Sequence, residues 1–548
     1  MGGKRRTGER AEAALLRRGQ ARSVLRRRST SPETEAQDTG RWERLCREAS
    51  TGRRAAADVL LDEVWAVDAG GTAQERRRVL EQLLAAPPHL WLHLDRFARR
   101  GSYGSGSSGL SRRRGLPADA DPLHLVLASF DADGRVRQAA VERLARRSGR
   151  FVAMALTLRT DDWVEQVREP AVAALLDHVA PDEAAVAIRL LSRLDRRRRA
   201  GGVLDAYRAA LCRPERRRTV RRLAAEPDPH VRRFGVELAL DLGEYVRGDL
   251  ARTALHDRDQ VCRALCAERL LELDPDQAGR LMGARSAAVR ELAVAALPDD
   301  VPATRLVAPL ADRSRMVRAQ ARWKLYKRGE PPVDVYRKQL RRCGRSTQPR
   351  LVAGLTAGLG ECGEACDVPM LEVLARDESW APVVRRAAVR ALGRLGSPEQ
   401  LAAALGPISA DPAPSLAREA LDALAAAGAA APQPVRSALA RPEPPVWRAA
   451  LRAARATAPW DRLELSLNAA ADPRPELAAR GRTDVRTWLR TQVYELPDAD
   501  QLQRIRGLLD RAGLPAADRD GLAFILSRLR PGQARAQPVR SPGTAPGR

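Results

Sequence analysis

"DPHVRRFGVELAL", Asp228–Leu240, sets an acid, a β-branched residue, arginines and a small residue in an order that returns along the chain. Relatives are "DGRVRQAAVERL" (Asp133–Leu144), "SAAVRELAVAAL" (Ser286–Leu297) and "PVVRRAAVRALGRL" (Pro382–Leu395). Taking the residue before the arginine as phase zero, instances begin at Val136, Val167, Val203, Val231, Val261, Val289, Val317, Leu351, Val384, Leu416, Val446 and Leu477. Successive starts lie 28 to 36 residues apart, the period of helical solenoids. Alanine or glycine stands four residues on, from Ala140 to Gly481, with Tyr207, Leu265 and Leu355 as exceptions. Eight residues on, every instance is apolar except Arg269. Offsets of four and eight share one helix face, and a small residue between them lets a second helix come close.

Shorter amphipathic segments alternate with these helices: "TRLVAPLAD" (Thr304–Asp312), "PMLEVLARD" (Pro369–Asp377) and "QLAAALGPI" (Gln400–Ile408). Loops such as "ADPAPS" (Ala410–Ser415) and "ADPRPE" (Ala471–Glu476) break the helices with Asp and Pro. Each unit therefore reads as helix, turn, helix. One unit alone leaves an apolar face wet; stacked units bury it on each other. The expected fold is all-α.

The set Asp133/Val136/Arg137/Ala140/Leu144, repeated as Asp312/Val317/Arg318/Ala321/Leu325, resembles the second helix of the HEAT-repeat family. The nearest pattern is the bacterial HEAT-like group that includes phycobilisome-lyase-type repeats. The resemblance spans about residues 120 to 495 and implies an α-solenoid, a right-handed superhelix of about twelve stacked antiparallel helix pairs. It departs from the pattern where Val203 is followed by Leu204, Val261 by Cys262 and Leu351 by Val352. The resemblance also implies a structural ladder of acids and arginines between repeats, assigned to Asp133, Arg137, Arg168, Asp228, Arg232, Arg290, Asp312, Arg318 and Arg385. Side-chain chemistry agrees: an Asp before a helix caps its free N–H groups, and a guanidinium spans to several acceptors.

The chain has 95 Lys and Arg against 69 Asp and Glu in 548 residues, a formal charge of +26. Lysine occurs only at positions 4, 324, 327 and 338, so arginine supplies nearly all of it, in keeping with the codon usage of a GC-rich genome. Such a charge suits nucleic acid or an acidic surface. Clusters outside the repeat register are the candidate anion or nucleic-acid patch: Arg196, Arg197, Arg198 and Arg199, then Arg216, Arg217, Arg218, Arg221 and Arg222. A third group is Lys338, Arg341, Arg342 and Arg345. Consecutive arginines cannot all face one way on a helix, so an ordinary solvated face competes with the binding reading.

Organisation follows composition. Residues 1–40 read as a basic disordered arm, 41–100 as a helical N-terminal cap or degenerate repeats, and 101–117 as a flexible Gly/Ser loop. Residues 118–495 form the array, 496–530 a helical C-terminal cap and 531–548 a disordered tail. Seven scattered cysteines, an odd number, point to a reducing, cytoplasmic setting rather than a disulfide framework. No apolar run approaches the roughly 20 residues that span a bilayer.

No cofactor, metal site or catalytic residue is expected. Cys262/Cys266 and Cys362/Cys366 lack zinc-site spacing and read as packing cysteines; His89, His93 and Asp95 read as an amphipathic helix. The chain contains no His-Glu dipeptide, which sets aside the di-iron branch resembling deoxyhypusine hydroxylase. Trp163, Asp161, Asp162 and Arg168 are the residue types of the HEAT-like alkylpurine DNA glycosylases, without a matching motif. The tryptophans fall at different phases, so no base-per-repeat code is present and they read as packing or capping. These features favour a non-enzymatic, monomeric scaffold binding a protein partner on its concave surface. The alternative is a nucleic-acid-binding protein, with glycosylase-like repair as a minor branch.

Overall fold

A computed structural model describes residues 32–101, 116–117, 119–194, 199–493 and 495–529. The described residues contain helices and turns and no strand, so the fold is the expected all-α solenoid. Residues 1–31, 102–115 and 530–548, which include most of the arm, the Gly/Ser loop and the tail, lie outside the described residues, as do Arg196, Arg197 and Arg198. A helix at Pro32–Ala49 overlaps the end of the stretch read as an arm.

The chain divides into two compact units, Met1–Leu273 and Asp274–Arg548. In the first, Glu165–Leu175 packs on Arg150–Arg159 and beside Gly134–Leu144. In the second, Pro349–Cys362, Pro382–Leu395, Pro414–Ala426 and Pro444–Ala454 lie side by side in succession. The helices between them, Val368–Arg376, Pro398–Ile408 and Pro432–Leu439, form the other layer.

Local chemistry sets the helix starts. The Asp133 carboxylate accepts from Arg135 N at 2.9 Å, and Asp228 accepts from His230 N at 2.9 Å, each as an N-cap. In "ADPAPS", Asp411 accepts from Ala413 N at 2.8 Å and Pro414 opens the next helix. In "ADPRPE", Asp472 and Pro475 repeat the arrangement. Proline at the first turn has no N–H to leave unsatisfied and has its φ already set.

The repeat register explains the core. Ala171, Ala293, Ala321, Ala388, Ala420 and Ala450 are wholly buried, as are Leu144, Leu175, Leu325 and Leu392 eight residues after phase zero. Each buried leucine contributes about 1.5–3 kcal/mol. The small position is sterically required at Gly235, where a Cβ would collide with backbone at Leu223 and Ala224. Gly481 stands in the same relation to Ala469 and Ala470. The register at Val261 needs correction by one residue: Val261 is exposed, while Cys262, Cys266 and Leu270 are buried. Counted from Cys262, the buried Cys266 takes the place of the larger, half-buried Leu265, and the buried Leu270 that of the exposed Arg269.

Candidate functional site

The repeated arginines are internal fittings. Arg137 bonds Asp162 through Nε at 3.0 Å and Nη2 at 2.9 Å. Arg290 grips Asp312 at 2.7 and 2.8 Å, and Arg385 reaches Asp411 at 2.6 Å. Arg232 stands 3.4 Å from Asp257, while its neighbour Arg233 takes Asp259 at 2.9 and 2.7 Å. Arg318 pairs with Glu361, with Nε at 3.1 Å. Each pair joins one repeat to the next.

The same arginines also close their own turns. Nη1 donates to the carbonyl six residues back in Arg137 to Asp131, Arg232 to Glu226, Arg263 to Asp257, Arg290 to Ala284 and Arg318 to Asp312. Arg168 donates to the Asp162 carbonyl at 3.1 Å, not to a carboxylate. Asp162, Asp257 and Asp312 stand three residues before a helix and serve two modules at once. The carboxylate takes the arginine of the preceding repeat and the carbonyl takes the arginine of its own. The carboxylate also accepts a backbone N–H two residues on, as Asp312 does from Ser314 at 2.7 Å.

Of the acids assigned to the ladder from the sequence, Asp312 receives a ladder arginine, whereas Asp133 acts as a cap and Asp228 combines its cap with an ion pair to Arg189 at 3.1 Å. The acids that carry the other pairs, Asp162, Asp257, Glu361 and Asp411, were not singled out for this role. Two of them share a sequence signal with Asp312: an acid stands six residues before an arginine in Asp162/Arg168, Asp257/Arg263 and Asp312/Arg318. Burial pushes the Asp162 carboxyl up, but the Arg137 hydrogen bond and the charges of Arg159 and Arg99 outweigh it and hold the group below its ordinary value.

Asp162 belongs to the largest buried ionic cluster described. It also accepts from Arg159 at 3.1 Å and Arg99 at 3.2 Å, and Asp95 binds both Arg99 and Arg159. Beside the cluster is a cavity of about 280 Å³ lined by Asp95, Arg96, Arg99, Asp161, Trp163 and Arg199, among others. Of the four residue types of a glycosylase site, Asp161 and Trp163 line this cavity, whereas Asp162 is engaged in ion pairs and Arg168 in closing a turn. Trp163 is 61% exposed, so it is not the packing residue expected.

Of the basic clusters, Arg199 is exposed. Arg217 and Arg221 both pair with Glu244, at 3.1 and 2.9 Å, on the helix Arg217–Leu223. Arg218 and Arg222, one turn apart on that helix, are exposed and form no ion pair among the described residues; Arg216 is half-buried. Arg345 pairs with Asp377 and stacks on Trp380, 3.9 Å from the ring centroid.

Two further expectations divide. Trp460 and Trp488 pack at 5.1 Å and each donates its indole N–H to a carbonyl, but Trp323, like Trp163, is exposed. Cys262 and Cys266 are buried, whereas Cys366 sits exposed in a short turn, so that pair is not a packing pair. Among the described residues no group of His, Cys, Asp and Glu is arranged to hold a metal ion, and no helix is long and apolar enough to cross a membrane.

The architecture is that of stacked helical repeats, and comparison puts a family name on part of it. Residues 345–425 match the family model of HEAT repeats, so the resemblance drawn from the sequence holds over that stretch. A search of curated proteins finds no match. Among solved structures, importin beta is 13% identical with a TM-score of 0.32, covering 89% of this chain and 69% of that one. The karyopherin Kap121p, solved bound to the extreme C-terminus of the protein phosphatase Cdc14p, is 14% identical with a TM-score of 0.28, covering 88% and 53%. An engineered protein is 15% identical with a TM-score of 0.16, covering 88% and 96%. Likeness this slight says nothing of what the chain binds.

Proposed function

We propose that the chain is a non-enzymatic scaffold that binds a protein partner along its helical array, as a monomer in a reducing, cytoplasmic setting. The observation that carries this reading is the use made of the buried charges. Asp162, Asp312, Glu361 and Asp411, each largely withdrawn from solvent, are held by arginines that join neighbouring repeats. What the array offers is therefore surface, and many modest contacts over a long surface give specific binding. Free thiols at all seven cysteines support the reducing setting. Helices within 41–100 and 496–530 would cap the ends of the array, as repeat proteins require.

The test is capture of partners by the tagged full chain from extract with and without nuclease treatment, followed by reconstitution from purified components. A stoichiometric protein complex is expected; recovery of nucleic acid alone would overturn the reading. A second reading, nucleic-acid binding, rests on the exposed Arg218 and Arg222, which no acid neutralises among the described residues. Its signature is an affinity for labelled DNA that falls steeply with salt and weakens on Arg218→Glu with Arg222→Glu.

A further inference from the structure

Arg318 breaks the pattern of the other pairs. Elsewhere an arginine finds an acid three residues before the next helix of its layer, as Arg290 finds Asp312 and Arg385 finds Asp411. Before the helix Pro349–Cys362 that place is held by Ser346, and Arg318 turns instead to Glu361, near the far end of the helix. The geometry changes with it. Ala287–Ala295 packs alongside Arg315–Lys327, and Pro349–Cys362 alongside Pro382–Leu395, but Arg315–Lys327 and Pro349–Cys362 do not run side by side.

The interruption leaves an open cavity of about 560 Å³, with Arg315, Met316, Ala319 and Arg322 on one wall and Glu361, Arg394 and Leu395 on the other. Its charge is one-sided. Glu361 accepts from Arg318 and, at 2.7 Å, from Arg322, and lies 3.9 Å from Arg394. Arg315 is exposed and forms no ion pair among the described residues. One carboxylate thus serves Arg318, Arg322 and Arg394, and Arg315 adds a fourth cation. Burial pushes the Glu361 carboxyl up, but Arg318 and Arg322 hold it below its ordinary value, so the acid is already fully engaged.

An apolar stripe runs out of the same cavity. Met316, Ala319, Trp323 and Tyr326 fall on one face of the helix, and Met316, Trp323 and Tyr326 are 47%, 50% and 68% exposed. The Trp323 and Tyr326 rings stack with centroids 5.6 Å apart and planes at 18°. Large apolar side chains gathered on a surface mark a contact site. From Met316 to Tyr326 the stripe extends roughly 15 Å, about three helical turns.

We infer that this cavity and stripe dock an amphipathic helical segment of a partner protein that carries acidic side chains beside an apolar face. The surplus guanidiniums take the carboxylates, and Met316, Trp323 and Tyr326 take the apolar side chains. Arginine suits the first task because its fork bonds a carboxylate at two points. The inference rests on the scaffold reading and names the partner's chemistry.

The test is selection of a randomised twelve-residue peptide display library on the full chain. Binding of the enriched peptides is then measured by fluorescence anisotropy against the wild type and the surface variants Arg315→Glu, Arg394→Glu and Met316→Ser, with circular dichroism confirming their folds. Enriched peptides should combine Asp or Glu with apolar residues three or four positions apart. Arg315→Glu and Arg394→Glu should each weaken binding about tenfold, the scale of a lost charge-assisted contact. Met316→Ser should weaken it about as much through lost apolar burial, and Glu→Gln peptides should bind as poorly. Neutral or basic peptides, no enrichment over the variants, or indifference to all three substitutions would overturn the inference. So would a labelled single-stranded DNA that outcompetes the peptides at the same arginines. If the captured partner cross-links elsewhere on the chain, the scaffold reading stands and this one falls; if no protein partner is captured, the scaffold reading itself fails.

Discussion

Arg137 and Asp162 meet through two hydrogen bonds, 3.0 and 2.9 Å, with both side chains shut off from solvent. Removing a buried acid strands its cations, which is far more damaging than the net value of the pair. Asp162→Asn should therefore destabilise the first unit by about 3–5 kcal/mol in urea unfolding. Arg137→Met should do less, because Asp162 keeps Arg159 and Arg99. An equal loss from both variants would show that the cluster does not act as a shared site.

The same kind of pair sets an acid limit on stability. The Arg233 fork, against a smaller opposing effect of burial, holds the Asp259 carboxyl at about 2. A carboxyl lowered in the folded state adds stability that is complete above the unfolded value of about 3.9 and drains away as pH falls toward the folded value. Between about pH 4 and pH 2 the wild type should lose stability that Arg233→Met already lacks. Urea midpoints measured across that range should converge at low pH. Parallel curves would refute the linkage.

Two glycines should respond in opposite directions to the same change. Gly481→Ala drives a methyl group into the backbone of Ala469 and Ala470, and overpacking of this kind costs about 1–3 kcal/mol. Gly521, inside the helix Ala516–Ser527, has open space around it, so Gly521→Ala should stabilise by about 0.5–1 kcal/mol. Thermal denaturation of the pair reads out the sign directly.

Thiol reactivity should follow burial. Burial pushes the Cys262 and Cys266 thiols up to about 12, which leaves almost no thiolate at neutral pH, while Cys366 lies exposed. Brief alkylation of the native protein, mapped by mass spectrometry, should modify Cys366 and spare Cys262 and Cys266. Denaturant should open all seven.

The fold was legible because its signal is periodic: offsets of four and eight from a Val-Arg pair recur often enough to survive local exceptions. The register failed by one residue at Val261 because Val261 is itself a plausible core residue, and only burial shows Cys262 in its place. The arginines' structural part followed from the family pattern, but their partners did not. Asp133 and Asp228 lie nearest the helix start and draw attention, yet the acid that joins repeats at Asp162, Asp257 and Asp312 lies further upstream. Glu361 was illegible for a different reason. It lies 43 residues beyond Arg318, at the far end of another helix, and no local spacing predicts that contact.

The Arg385–Asp411 ion pair takes one half from each of two adjacent modules. Copying a whole module within a gene would therefore copy both halves, and the new joint would form without any compensating change. Length is the variable such a chain can alter most freely, and a lineage built on this joint should differ between relatives in the number of modules more readily than in the joint itself.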